Sequence, residues 1–395
     1  MKRRISPDIP RPVVFLGLVS FFNDIASEMI YPVLPIFLTQ VLGTPVAIVG
    51  VIEGIAEATA SISKLTFGYI SDRVGRRKPF VTLGYGFGAV SKIMIALASG
   101  WPAVLLARFA DRMGKGLRTA ARDSMLLSSA PAGRRGFVFG FHRAFDSLGA
   151  VIGPLLGLAL IQIYAGDMRK IFFWAVLPAS VSVLVIIFTV PEARKFEIPG
   201  RRFAVDWSLL TKKLKLFLLV SFLFTLGNSS DVFLLLKAKS LGMTTTLVIL
   251  AYVLYNVTQT VLATPAGSLS DRIGARKVYL WGLLVFAIVY FLFGFARSPA
   301  HLFLLFPVYG LYIAATDGVS KAFISQYVTE NQSGTFFGLH QLLNAVAGFA
   351  ASVIGGIIWT RISPAATFWY GSIMAMIAFM FFSLISPGKQ PDNST

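Results

Sequence analysis

The chain has 395 residues, of which 55% are hydrophobic and 14% charged, and its mean hydropathy is +0.72. A soluble domain averages about 25% charged residues, so the composition excludes an ordinary soluble protein, and the absence of cysteine excludes disulfides and thiolate metal sites. The net charge of +18 would suit a nucleic-acid binder, but the basic residues lie in short loops between apolar stretches, where membrane topology places them.

Lys2, Arg3 and Arg4 precede the first apolar stretch and imitate a signal peptide. That stretch is long and no small-residue cleavage site follows it, so it reads as a retained signal-anchor helix. Six spans are expected over 13–41, 46–72, 78–99, 102–128, 136–164 and 169–190. Six more are expected over 214–240, 244–267, 278–297, 300–327, 334–361 and 364–386. A polar, basic segment broken by Pro199-Gly200 separates the two sets. The expected domains are therefore 1–190 and 214–395, joined by a linker at 191–213.

The loops alternate in charge. The N-terminus, the turn after span 2, Arg134-Arg135, the linker, and Arg272, Arg276 and Lys277 form the strongly positive set. The positive-inside rule puts that set, and both termini, in the cytoplasm. A multi-pass protein of a bacterial plasma (inner) membrane is the expectation.

The halves repeat one another. Gly68-Tyr69-Ile70-Ser71-Asp72-Arg73-Val74-Gly75-Arg76-Arg77-Lys78 after span 2 returns 199 residues later as Gly267-Ser268-Leu269-Ser270-Asp271-Arg272-Ile273-Gly274-Ala275-Arg276-Lys277. Gly140-Phe141-His142 and Asp146 in span 5 echo Gly338-Leu339-His340 and Asn344 in span 11, and Ser27-Glu28 echoes Ser230-Asp231. Internal duplication is how secondary transporters build a site that faces either side. The expected fold is an all-α polytopic membrane protein, twelve transmembrane helices in two pseudo-symmetric six-helix bundles around a central cavity.

A charge within the bilayer costs roughly 2.5–3.5 kcal/mol on insertion scales, so its placement is informative. Spans 6, 9 and 12 have none in their interiors and span 3 has only Lys92, which makes one helix in three lipid-facing. Span 4 is the most charged: Asp111, Lys115, Arg118 and Arg122 recur at helical spacing, with Arg108 and Arg112 on an adjacent face. These form either a cationic wall for an anionic substrate or relay carboxylate, or a structural network with Asp111 and Asp123. Arg108, Asp111, Arg112, Asp231, Asp317 and Asn344 are candidate substrate-cavity residues.

Asp24 and Glu28 are one turn apart near the middle of span 1. Two carboxylates that close repel when both are ionised, so one of them is positioned to hold a proton. With Asp146 they are the candidate proton-coupling acids, and Arg108 is the expected counter-charge. Glu53 and Glu57 form a second such pair nearer the outer end of span 2. His142 and His340 read as polar packing beside the cytoplasmic ends, and Asp317 as the partner of Lys321. No GxxxxGK, no metal-ligand spacing and no nucleophile–base constellation is present, so neither an enzyme, a cofactor nor a metal is expected.

The pattern GxxxDRxGRRK between spans 2 and 3 resembles motif A of the major facilitator superfamily. Gly140, Gly149, Gly153, Pro154 and Gly157 in span 5 are similar to motif C of its proton-coupled drug antiporters, with Leu158 replacing the last family glycine. Pro32-Val33-Leu34-Pro35 looks like the proline pair of the tetracycline and multidrug antiporters. Arg108-Phe109 matches the start of motif B, although Arg112 stands where that motif has glycine. The resemblance implies helices 3, 6, 9 and 12 on the outside and a cytoplasmic gate built on Gly68, Asp72, Arg73, Gly75 and Arg76, with Asp271 and Arg272 in the second copy. It also implies alternating access, and most directly proton-coupled export of a small organic molecule or drug. A metabolite importer, whether facilitator or proton symporter, a lipid or lysolipid flippase and a transporter-like receptor or scaffold are the alternatives. The expected partners are a small-molecule substrate, protons and the lipid bilayer, with no nucleic acid, for a chain acting as a monomer.

Overall fold

The computed structural model describes residues 9–74, 76–129, 135–192, 211–325 and 330–383. All regular structure among them is helical. In the first half these are α1 (Arg11–Ile30), α2 (Leu34–Ile36) with a π-helical turn Phe37–Val41, α3 (Val46–Val74), α4 (Lys78–Leu97), α5 (Trp101–Ser129), α6 (Arg135–Ile163) and α7 (Met168–Thr189). The second half has α8 (Lys212–Gly227), α9 (Val232–Ser240), α10 (Thr245–Ile273), α11 (Ala275–Phe295), α12 (Pro299–Ser325), α13 (Glu330–Arg361) and α14 (Pro364–Ser383).

Eleven stretches among the described residues are long and apolar enough to cross a bilayer, with α1, α2 and the π turn counting as one and α8 with α9 as another. The twelfth span is α5, whose 29 residues suffice in length but whose charges depress its hydropathy. The expected span 4 is thus a helix, although apolarity alone would not have found it.

Hydropathy predicts that spans 1 and 7 run unbroken, and neither does. The first stops at Ile30, turns through 31–33 and resumes as α2. Pro32 and Pro35 account for this, because proline lacks the amide donor that would continue the helix ladder, and Pro35 fits in the first turn of α2 where that donor is not needed. The second opens at Asn228, Ser229 and Ser230, between α8 and α9. No proline lies there; short polar side chains that compete for backbone hydrogen bonds take its place. Both spans end on repeat-related glycines at positive φ, Gly43 at 62° and Gly242 at 84°, which other residues adopt only under strain.

The packing repeats as the sequence does. In the first half α1 packs on α6 and α7, and α4 on α5 and α7; in the second α8 packs on α13 and α14, and α11 on α12 and α14. In span order both sets read 1 with 5 and 6, and 3 with 4 and 6. Spans 2 and 4 approach at Gly116, where an added Cβ would fall 2.3 Å from that of Ser63. Spans 8 and 10 do the same at Gly310, where it would fall 2.4 Å from the carbonyl oxygen of Tyr255. Glycine at such crossings lets backbones touch where lipid offers no hydrophobic drive to association.

Two compact units result. One holds Met1–Pro45, Ile55–Arg201 and Thr244–Val253; the other holds Val46–Gly54, Arg202–Met243 and Leu254–Thr395. The first turns of spans 2 and 8 therefore each belong with the opposite half of the sequence. For span 2 the reason is again small residues: Gly50 lies against the backbone of Ser352 and Gly356, and Gly54 against Phe349. The linker expected at 191–213 lies largely outside the described residues.

Large apolar side chains are exposed along α4 (Leu83, Val90, Leu97), α7 (Phe173, Leu177, Phe188), α11 (Trp281, Phe291, Phe295) and α14 (Ile373, Met380). Lys92, the one charge inside span 3, turns away from that face and is 2% exposed.

Candidate functional site

In the first unit α6 lies on α1 through its glycines. A Cβ on Gly149 would sit 2.9 Å from the Cβ of Asp24, and one on Gly153 would sit 2.8 Å from that of Glu28 and 2.7 Å from the Ile25 carbonyl oxygen. Gly157 continues the seam, where a Cβ would sit 2.9 Å from the Met29 carbonyl oxygen, and Pro154 lies inside α6 between them. The two acids of span 1 and the glycine ladder of span 5 are thus one feature.

Asp24 accepts a hydrogen bond from Asn23 Nδ2 at 3.0 Å. Glu28 accepts from the hydroxyl of Tyr252 at 2.7 Å, and the Tyr252 ring lies 5.5 Å from that of Tyr31. The cations whose fields reach Glu28 are Lys115 and Arg112, and Lys115 also acts on Asp24. Arg108, the counter-charge expected from the sequence, is buried on α5 and acts on Glu57 and Asp111.

The cationic wall on α5 is matched from within. Asp111 receives Lys92 Nζ at 3.2 Å and Ser91 Oγ at 3.3 Å. Arg112 stands 3.9 Å from Glu57, Arg118 lies over the ring of Tyr85 at 4.7 Å, and Arg122 pairs with Asp123 at 2.9 Å. Removing one member of a buried pair leaves the other charge uncompensated, at about 3–5 kcal/mol, whereas removing both can be nearly neutral. Lys92→Met still leaves Asp111 facing Arg112, Arg118 and Arg108, so Asp111→Leu, which strands Lys92 and those arginines together, is expected to lower the thermal unfolding temperature of the purified protein more than Lys92→Met does. Equal loss in the two variants would mean that Asp111 does not hold the cations of α5 together.

The duplicated histidines sit in duplicated networks. Ser20 bonds the hydroxyl of Tyr85 at 3.0 Å and His142 Nε2 at 2.8 Å, and receives Arg122 at 3.2 Å; His142 Nδ1 is 3.5 Å from Asp146. In the second unit Ser221 bonds His340 Nε2 at 2.8 Å and donates to Asn344 Oδ1 at 3.1 Å. Each histidine ties its half's fifth helix to its first. The acid stands only in the first copy, and its Oδ1 is buried with no hydrogen-bond partner among the described residues.

Asp231 follows the break in span 7, and its side chain makes no cap on α9, whose first amide, Val232 N, donates to Ser230 Oγ at 3.4 Å. It turns instead to α10 and α12, accepting from Tyr255 at 2.8 Å on Oδ2 and from Tyr309 on Oδ1. Asn228, in the break itself, donates to the hydroxyl of Tyr312 at 3.1 Å. Asp317 lies elsewhere, exposed on α12, and the side chain of its expected partner Lys321 is outside the described residues. Among the described residues no group of three or more His, Cys, Asp or Glu is placed to hold a metal ion.

The sequence model of the major facilitator superfamily matches residues 16–237 and 217–395, which together take in nearly the whole chain. The chain belongs to the major facilitator superfamily. An uncharacterized transporter of this superfamily from Methanocaldococcus jannaschii is 35% identical over 384 residues, with 96% of each chain covered. The multidrug resistance protein MdtG of Escherichia coli is 23% identical over 371 residues, covering 88% of each. Among solved structures, the nucleoside transporter NupG superposes with a TM-score of 0.78 at 13% identity, over 94% of this chain and 99% of that one.

Of the superfamily's motif A, Gly68 faces α5, where an added Cβ would sit 3.1 Å from that of Ala120, and Arg76 and Arg272 are exposed. Gly75 and the side chains of Asp72, Arg73 and Asp271 lie outside the described residues. What anchors this turn is a residue the sequence did not single out. Glu192, just beyond α7, accepts the backbone amides of Arg77 at 2.8 Å and Lys78 at 3.0 Å, a carboxylate on the positive end of α4. Its distance in sequence from the motif hides it from any local reading. In the second copy the repeat-related Arg276 instead bonds the terminal carbonyls of α14, with Ser383 O at 2.8 Å.

Proposed function

We propose that this superfamily member is a proton-coupled exporter of a small organic molecule, working by alternating access from the cytoplasm of a prokaryotic cell. The observation that carries the reading is the seam between α1 and α6, where Asp24 and Glu28 pack directly on Gly149 and Gly153. A change in how α6 lies on α1 changes the space, solvent and counter-charge of both acids at once. Protonation and helix movement are then linked, as a coupled switch requires. Lys115 and Arg112 are the counter-charges nearest in effect to Glu28, and Asp146 is a third acid within the same unit. The 23% identity to a multidrug resistance protein supports export of a drug-like molecule over import. The deciding experiment is proton-gradient-driven transport in vesicles with the span 1 acids replaced.

The reading carries an orientation as well. By the positive-inside rule it has both termini and the linker 191–213 in the cytoplasm, with six-helix domains at 1–190 and 214–395. A reporter active only in the cytoplasm, fused after Lys78 or within 195–210, is expected to be active at both places. Activity of a periplasm-specific reporter at either would overturn the orientation.

A further inference from the structure

Ser20 is bonded more fully than a packing residue requires. A serine hydroxyl has one hydrogen to give and two lone pairs to receive with. Arg122 donates to it from α5 at 3.2 Å, the Tyr85 hydroxyl of α4 is 3.0 Å away, and His142 Nε2 of α6 is 2.8 Å away. On the far side of the imidazole, Nδ1 is 3.5 Å from Asp146 Oδ2. His142 and Asp146 lie one turn apart on α6, so side-chain rotation alone closes that gap. Ser20 and Tyr85 are each 1% exposed and His142 is 3% exposed, so the network is completed from within.

With Arg122 holding one lone pair of Ser20, two complete patterns remain. In the first, Tyr85 donates to Ser20, Ser20 donates to His142 Nε2, and Nδ1–H faces an ionised Asp146. In the second, a protonated Asp146 donates to Nδ1, Nε2–H donates to Ser20, and Ser20 donates to Tyr85. The second holds one proton more. To reach it, Nδ1 passes its hydrogen to Asp146, Ser20 passes its own to Nε2, and Tyr85 passes its own to Ser20. A proton from solvent then replaces that of Tyr85. The imidazole is neutral in both patterns. The added proton belongs on Oδ2, because Oδ1 is buried with no hydrogen-bond partner among the described residues.

We propose that Ser20 and His142 are positioning residues that tie the proton on Asp146 to the tautomer of His142, and through it to α1 and α4. The inference rests on the proton-coupled reading above and adds a relay to it. The charges that act on the pair are Asp24 from α1, Arg122 and Asp123 from α5, and Arg143 on α6 itself. Arg118 of α5 lies over the Tyr85 ring, and Lys92 of α4 is held by Asp111. The basic residues of α7, Arg169 and Lys170, stand in its first turn, at the opposite end from His142. The second unit supplies the comparison. Ser221 again bonds His340 Nε2, but its hydrogen goes to Asn344 Oδ1, and an amide there cannot take up the proton.

The test is imidazole nitrogen NMR of the protein in nanodiscs, across the pH range in which it stays folded. The chain has 3 histidines, so His142 and His340 are assigned by replacing each with Gln. His142 is expected to carry its hydrogen on Nδ1 at high pH and on Nε2 at low pH, without becoming imidazolium. His340 is expected to keep one tautomer throughout, and Asp146→Asn to fix that of His142. In vesicles, His142→Gln is expected to lower proton-driven accumulation at least about tenfold and to leave downhill exchange within about twofold of the unmodified protein. His340→Gln is expected to change neither. A His142 tautomer that ignores pH, a tautomer change that persists in Asp146→Asn, or an imidazolium at low pH would each overturn the proposal. Where accumulation is proton-driven, equal loss in the two Gln variants would overturn it too, since a merely structural role treats both histidines alike. Failure of the transport reading is separable: a tautomer change that depends on Asp146, in a protein that no proton gradient drives, sinks the exporter and leaves the relay standing.

Discussion

Vesicles containing the Asp24→Asn, Glu28→Gln double variant are expected to exchange substrate down its own gradient and to ignore an imposed proton gradient. The chemistry of coupling requires a group that carries a proton in one state and gives it up in the other. The function proposed above gives that part to Asp24 and Glu28, two carboxylates one turn apart and seated on a glycine seam. Amides keep the shape and the hydrogen bonds. The amide carbonyl at position 24 can still accept from Asn23 Nδ2, and the one at position 28 from the Tyr252 hydroxyl. The seam and the substrate route therefore persist while the proton no longer has a place to sit. The single variants are expected to be intermediate, Glu28→Gln the more severe because Tyr252, Lys115 and Arg112 all act on that residue. Proton-driven accumulation that survives in the double variant would move the coupling acid to Asp146, whose His142 contact is at 3.5 Å. Collapse of downhill exchange as well would mean the acids hold the fold or the substrate instead.

Much of the architecture is legible in the chain, and for a physical reason. A bilayer forces every backbone polar group into internal hydrogen bonds, so long apolar stretches must be helices. Duplication then supplies what hydropathy misses, as with α5, which is too charged to pass as a span by composition yet packs on α4 as its repeat partner α12 packs on α11. What could not be read is rotation about each helix axis. Asp24 and Glu28 are recognisable as a pair by spacing, but that they face α6 glycines and Tyr252 depends on how α1 is turned. Tyrosines 255, 309 and 312 look like ordinary membrane-helix aromatics until Asp231 is found among them. Lys92 looks like a stray charge on a lipid-facing helix; its partner Asp111 is 19 residues away. The break in span 7 carries no proline to announce it, whereas Pro32 and Pro35 mark the one in span 1.

Gly153→Leu is expected to abolish transport while the protein still inserts, and Gly86→Leu to leave transport intact. The two substitutions add the same atoms to glycines within one unit, and only the space differs. A Cβ at 153 would fall 2.7 Å from the carbonyl oxygen of Ile25 and 2.8 Å from the Cβ of Glu28, closer than side-chain carbons come to either. The obstacle on α1 is backbone, which cannot swing aside as a flexible side chain could. The helices must separate, and overpacking of this kind costs typically about 1–3 kcal/mol. Separation also lifts Glu28 out of its setting, so the coupling chemistry goes with the packing. At Gly86, on α4, nothing lies within 4 Å of the added carbon, and the new side chain points into open space. Gly153→Ala should fall between, since it adds the offending Cβ alone. The measurements are proton-driven transport and thermal unfolding for all three variants. A fully active Gly153→Leu would show that α6 does not lie on α1 through this seam in any working state, and the link between glycine ladder and carboxylates would be lost with it.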